Sequence, residues 1–280
     1  MPTLSQHPLE SLGPTHPPRL GSTRANQVHA KHVKIIVHDP LDHEAPAILH
    51  EPHDYDPAEA KNAAVILVSG AGGGVSGPSG IYTSLADKLA LLIGLPVVRL
   101  DYRVPARTEY CVPDIVATMD YLGEKYNSTR FVVVGWSFGG SPCFTVAAED
   151  PRVCGVATIA SQTAQTSGVS KLSPRPLLLL HGDGDTCLSH RCSEELYRQY
   201  GTEGVREIKI FQGDNHGLSR NAAHAEGMLF MFAARTLGVE GGLTVAERKI
   251  AEQDWVGSEG GRVLEMQEGH DFEGDEALNY

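Results

Sequence analysis

Phe131-Val132-Val133-Val134-Gly135-Trp136-Ser137-Phe138-Gly139-Gly140 is the stretch on which the fold turns. It opens with an apolar run without polar alternation, the pattern of a strand covered on both faces. Gly-x-Ser-x-Gly follows, and after it a helix-compatible run through Ala148. A serine on a sharp strand-to-helix turn needs minimal side chains two residues before and after it, and Gly135 and Gly139 meet that requirement. Such a turn lifts the hydroxyl out of the sheet and aims a helix N-terminus at it.

Working outward, the same strand pattern recurs at Ala64–Val68, Pro96–Leu100, Val153–Ile159 and Leu177–Leu180. Val33–Val37 and Ala47–His50 read as a hairpin, while Glu207–Phe211 alternates and belongs nearer a sheet edge. Between these runs lie helical stripes: Ile81, Leu85, Leu89 and Leu92, then Val112, Ile115, Val116 and Met119, then Ala225, Met228, Leu229 and Phe232. Helices on both faces of a mostly parallel sheet predict one α/β domain over residues 31–240. Residues 1–30 are Pro-rich and read as a flexible arm; they hold one acid, Glu10, but no basic amphipathic helix. Residues 241–280 read as an acidic extension with one helix over Leu243–Asp254.

A serine hydroxyl becomes a useful nucleophile only when a base takes its proton and a third group orients the base. Two later strands end in suitable residues. Leu177–Leu180 runs into His181-Gly182-Asp183-Gly184-Asp185, and Ile208–Phe211 runs into Gln212-Gly213-Asp214-Asn215-His216. The carboxyl ends of strands are where open α/β sheets place their sites. Asp183 and Asp214 are rivals to Asp185, and His181 and His224 are rivals to His216. Asp214, two residues from His216 in a tight loop, is poorly placed to reach its ring.

In these motifs and their order the chain resembles the α/β-hydrolase superfamily, and within it the small dienelactone-hydrolase-like and carboxylesterase-like members. The resemblance covers about residues 60–238. It implies an α/β-hydrolase fold and a serine hydrolase of carboxylic esters or lactones. Ser137 would be the nucleophile, Asp185 the acid of the family's His-Gly-x-x-Asp pattern, and His216 the base. One oxyanion donor would be the N–H of Phe138. The other would follow the strand ending at Val68, where the family usually has His-Gly and this chain has Ser69-Gly70. Ala71 is then the expected second donor, with Gly72 beside it. Acyl transfer, peptidase or lyase chemistry, or a non-catalytic binding role, are the alternatives that the same fold allows.

Other residues are weighed against plain structural roles. Arg103, Arg107 and Tyr110 follow the strand ending at Asp101; Arg103 suits a substrate carboxylate, or an ion pair with Asp101 or Asp114. Trp136 and Phe138 flank the serine as core or pocket wall, and Cys143 packs on the helix. No metal is expected, because no His/Cys/Asp group has ligand spacing. No cofactor is expected either: the Gly-rich stretch after Val68 lacks a phosphate-loop Lys and a G-x-G-x-x-G placement. Superfamily caps are commonly inserted where Ser161–Pro176 stands, and its 16 residues hold none. An open site for small soluble esters or lactones is therefore expected.

The chain has 280 residues with 23 basic and 35 acidic side chains, a net charge of −12. That surface repels phosphate backbones and anionic lipid, so nucleic-acid and membrane partners are not expected. Residues 241–280 hold ten of the acids against three bases, so the body itself is only mildly acidic. The most apolar stretch, Leu89–Val98, contains Gly94 and Pro96 and is far short of the ~20 residues of a membrane span. Five cysteines without a C-x-x-C pair, and no secretion signal, point to a cytoplasmic protein; a homo-oligomer is left open.

Overall fold

A computed structural model of the chain describes residues 28–39, 42–52, 54–104 and 106–253. The arm expected over residues 1–30 and the end of the acidic extension lie almost wholly outside them. Eight strands form one sheet in the order β1-β2-β4-β3-β5-β6-β7-β8. Strands β1 (Val28–Val37) and β2 (His43–Pro52) form an antiparallel hairpin, and β2 pairs antiparallel with β4 (Val97–Leu100). The remaining pairings are parallel, among β4, β3 (Ala63–Val68), β5 (Arg130–Trp136), β6 (Val153–Ile159), β7 (Leu177–Gly182) and β8 (Arg206–Phe211).

The period of two along each strand sorts side chains into two cores. Val65, Leu67, Val132, Val134 and Leu178 face α1 (Ile81–Ile93) and α5 (Ala222–Thr236). Ala64, Ile66, Phe131, Val133 and Leu179 face α2 (Thr108–Tyr126), α3 (Gly140–Glu149) and α4 (Arg191–Gln199). Both faces of the central strands are thus dry, which is why they read as unbroken apolar runs. Strand β8, half-buried along most of its length, lies at the sheet edge, as its alternation predicts. The hairpin is longer than its apolar cores suggest, because backbone pairing extends through exposed polar residues down to Val28↔Pro52.

Two stripes shift on the real surface. In α2 the buried face is Cys111, Ile115, Met119 and Leu122, while Val112 and Val116 are half-buried. In α5, Leu229 and Phe230 are buried and Met228 and Phe232 are half-buried. These last two line a cavity of about 920 Å³ with Leu177, Val205 and Arg235. Leu177 opens β7, so this cavity lies at the amino-terminal edge of the sheet, away from the strand ends that carry the motifs. Helix α4 has no apolar stripe to announce it, since only Ser193 and Leu196 are buried.

Beyond residue 240, α6 (Val245–Ala251) starts in a reciprocal cap: Thr244 Oγ1 accepts from the Glu247 N–H, and the Glu247 carboxylate accepts from the Thr244 N–H. Leu243 and Ala251 are buried in the α1–α5 core. The buried Lys88 of α1 pairs with Glu226 of α5 at 3.0 Å. Lys88 also donates to the carbonyls of Ala251 at 3.0 Å and Gln253 at 2.6 Å. Among the described residues the β6–β7 connection holds only a short 3-10 helix, Ser167–Lys171, and no cap domain. No helix among them is long and apolar enough to cross a membrane.

Candidate active site

Strand β5 ends at Trp136 and α3 begins at Gly140, which forces the intervening residues through a tight turn. Ser137 sits at its apex with φ +52°, a left-handed conformation uncommon outside glycine. A Cβ on Gly135 would meet the Gly139 carbonyl carbon at 2.5 Å, and one on Gly139 would meet the Ser69 carbonyl oxygen at 2.4 Å. The two glycines therefore fold the elbow onto itself and press it against the loop after β3. Absence of a cap leads one to expect an open nucleophile, but Ser137 is only 1% exposed. Close packing of the elbow against the neighbouring strand ends is the reason.

That loop, Ser69–Gly74, is held by several bonds. Gly73 N–H donates to the Gly70 carbonyl at 3.1 Å, and Gly74 N–H donates to Asp101 Oδ1 at 2.9 Å. Tyr102 donates its hydroxyl to the Ser69 carbonyl at 3.2 Å and meets Phe138 edge-on at 6.0 Å between ring centroids. Ala71 and Gly72 are half-buried on this loop, and Ala71 packs against the core on the α2–α3 side. Phe138, on the elbow, is buried. The two residues expected to supply backbone donors thus stand on abutting loops.

The loops after β7 and β8 are pressed together as well. A Cβ on Gly182 would meet the Asp214 carbonyl oxygen at 2.2 Å, and Gly184 N–H donates to that same oxygen at 2.9 Å. This approach brings Asp185 Oδ2 to 2.7 Å from His216 Nδ1. An ionised carboxylate only accepts, so a neutral imidazole here carries its proton on Nδ1 and keeps a lone pair on Nε2. His216 is 2% exposed, and its Nε2 is buried without a hydrogen-bond partner. The Trp136 indole N–H donates to the His216 carbonyl at 3.3 Å, and the two rings lie 5.6 Å apart. The imidazole is thereby held against the residue that precedes Ser137.

Asp185 is fully engaged. Its Oδ1 accepts from the N–H groups of Cys187 at 2.7 Å and Leu188 at 2.9 Å, and its Oδ2 lies 3.1 Å from His181 Nε2. Burial opposes its ionisation, but hydrogen bonds from His181, His216 and Leu188 outweigh burial and hold the carboxyl well below the usual carboxylate range. His181, a rival to His216 in the sequence, is instead a structural hydrogen-bonding residue. It links Asp185 to Ser193 Oγ, 2.7 Å from its Nδ1, and so orients the acid from behind.

The rivals have other partners. Asp183 accepts from the Gly213 N–H. Asp214 accepts from the backbone N–H groups of Asn215, Arg220 and Asn221 at 3.0, 3.2 and 3.0 Å, organising the turn into α5. His224 packs edge-on against Phe211 at 5.4 Å. Arg103 pairs with neither Asp101 nor Asp114 through its guanidinium. The group reaches Asp39 at 2.6 Å and His43 at 2.6 Å, over the Tyr110 ring at 4.6 Å, and is 4% exposed. Its backbone N–H alone meets Asp114, at 3.0 Å. Trp136 is buried and touches His216 rather than open surface. Burial pushes the Cys143 thiol up, in keeping with a packing role. Cys187, two residues after Asp185, belongs to no motif that marks it in the sequence.

A family model described as the alpha/beta hydrolase fold matches residues 63–185. Among solved structures, the esterase domain of a Rhodothermus marinus protein is 20% identical with a TM-score of 0.59, over 75% of this chain and 100% of that one. Dienelactone hydrolase from Anabaena variabilis is 18% identical with a TM-score of 0.59, over 74% and 98%. An esterase from Pyrococcus furiosus is 15% identical with a TM-score of 0.61, over 78% and 98%. A search of curated proteins finds no match. The chain thus has the α/β-hydrolase fold, and the solved structures that share it include esterases and a dienelactone hydrolase.

Proposed function

We propose that this protein is a serine hydrolase that cleaves small carboxylic esters or lactones through an acyl-enzyme. Ser137 Oγ attacks the carbonyl carbon while His216 Nε2 takes the hydroxyl proton, and Asp185 holds the ring in the required tautomer and stabilises its cationic form. Backbone N–H groups of Phe138 and Ala71 receive the oxyanion, each donor contributing about 3 kcal/mol in the transition state. The protonated Nε2 returns its proton to the departing alkoxide. A water molecule then repeats the cycle on the acyl-serine, and Ser137 leaves as it began.

The observation that carries this reading is the state of His216: Nδ1 is committed to Asp185 at 2.7 Å, and Nε2 is buried, unpartnered and beside the strained elbow. A nitrogen left so in a packed interior is costly unless it has chemistry to do. The esterases and dienelactone hydrolase of the same fold favour esters or lactones as substrates. The near-complete cover of Ser137 and the short β6–β7 connection favour small ones.

The test is hydrolysis of a chromogenic acetate ester and labelling by a fluorophosphonate. Ser137→Ala should lose both, with the rate down by about 10⁴-fold or more. Hydrolysis at the wild-type rate by a folded Ser137→Ala variant overturns the proposal.

A further inference from the structure

One carboxylate oxygen of Asp185, the Cys187 sulfur and one ring nitrogen of His216 all lie within 4.8 Å of one another. Two of these residues share the loop after β7, and the third comes from the loop after β8. No linear spacing announces such a set, and the sequence accordingly suggested no metal. We propose that Asp185, Cys187 and His216 form an inhibitory zinc site built over the candidate catalytic acid and base. The inhibitory half of this proposal rests on the function proposed above; the binding half does not.

Three protein ligands with an open fourth position is a common zinc arrangement, completed by water. Thiolate with imidazole selects zinc over magnesium or calcium, which prefer all-oxygen shells. The ligands are ordered in advance. Cys187 N–H donates to Asp185 Oδ1 at 2.7 Å, which fixes the spacing of carboxylate and thiol along the loop. His181 supports the carboxylate at 3.1 Å, the outer-shell bond that metal-binding carboxylates commonly receive. His216 is packed against Trp136, and its Nδ1 stands 2.7 Å from Asp185 Oδ2. The Asp185 side chain is fully covered and Cys187 is half-buried, so an ion's way in from solvent is past Cys187.

Coordination exchanges the thiol proton for the metal, the proton passing to solvent. An ion on either ring nitrogen stops the relay. At Nε2 it occupies the lone pair that takes the serine proton; at Nδ1 it displaces the proton, which passes to Nε2 or to solvent, and with it the bond to Asp185 that sets the tautomer. The device is reversible and needs no movement of the sheet.

Chelator-treated full-length protein is titrated with zinc in competition with a chromogenic zinc indicator, without substrate, as wild type, Ser137→Ala and Cys187→Ala. Wild type and Ser137→Ala should bind one zinc per chain, and Cys187→Ala should bind at least about tenfold more weakly. A parallel ester assay should show wild type losing activity as that equivalent binds and regaining it with chelator. Cys187→Ala, which keeps its uninhibited activity, should stay active at the same zinc concentration. Equal zinc affinity in wild type and Cys187→Ala, or no stoichiometric binding, overturns the site. One bound zinc with undiminished hydrolysis overturns its inhibitory role. Absence of ester hydrolysis in every variant counts against the catalytic reading alone, because the indicator titration decides binding without it.

Discussion

The indole N–H of Trp136 donates to the backbone carbonyl of His216 at 3.3 Å, joining the residue before the candidate nucleophile to the residue that carries the candidate base. Eighty positions of chain separate the two residues. Their contact, with the rings 5.6 Å apart, couples the elbow after β5 to the loop after β8. Trp136 is in this sense a positioning residue, acting through His216.

Trp136→Phe keeps an aromatic ring and deletes the donor. A neutral hydrogen bond contributes about 1 kcal/mol, so kcat for ester hydrolysis should fall several-fold while KM changes little. Steady-state kinetics on a chromogenic ester separates the two parameters. A change confined to KM would mean that the indole acts on substrate and not on the imidazole.

Ser137 pays for its place at the apex in backbone strain. With φ at +52° a non-glycine residue costs about 1 kcal/mol relative to glycine. Ser137→Gly should therefore raise the unfolding free energy by about that amount, read as a higher urea midpoint, while abolishing hydrolysis. A midpoint at or below wild type would show that the serine's own interactions offset the strain.

Asp185 links stability to pH. Its carboxyl is held below the ordinary carboxylate value by the bonds from His181 and His216, although burial acts the other way. A group depressed in the folded state stabilises the protein above its unfolded value of ~3.9, and that contribution is lost as pH falls further toward the folded value. Asp185→Asn should therefore be less stable than wild type at neutral pH, with the gap narrowing below about pH 4. Denaturant midpoints across pH measure the gap; a gap that stays constant in acid would contradict the linkage.

Lys88 and Glu226 form a buried pair at 3.0 Å, and Lys88 also holds the last turn of α6 through the Ala251 and Gln253 carbonyls. Lys88→Met strands a buried carboxylate and should cost about 3–5 kcal/mol. Lys88→Met combined with Glu226→Leu should recover much of that loss, since the stranded charge is gone. Urea unfolding of the single and double variants tests this. A double variant no more stable than the single would place the loss in α6 rather than in the unpaired charge.

The elbow and the strands around it were legible because they are local. Gly135 and Gly139 answer to sterics within five residues of chain, and Val132–Val134 or Leu177–Leu180 declare their two-sided burial by composition alone. Helix α4 escaped because it buries only Ser193 and Leu196, leaving no stripe to count. Val112 and Val116 misled because their apolar character does not say which side of α2 meets the sheet.

Sequence by itself therefore determined the strand–turn–helix at Ser137, the alternation of strands and helices, and the short loops that end in Asp185 and His216. Tertiary structure alone decided which acid faces His216, that Arg103 is taken up by Asp39 and His43, how deeply Ser137 is covered, and that Cys187 stands beside the imidazole. The physical reason is range. Backbone sterics and burial periodicity act over a few residues and leave a mark in the sequence. The meeting of side chains from different loops depends on strand order, register and close approaches such as Gly182 against the Asp214 carbonyl, which exist only once the sheet has formed.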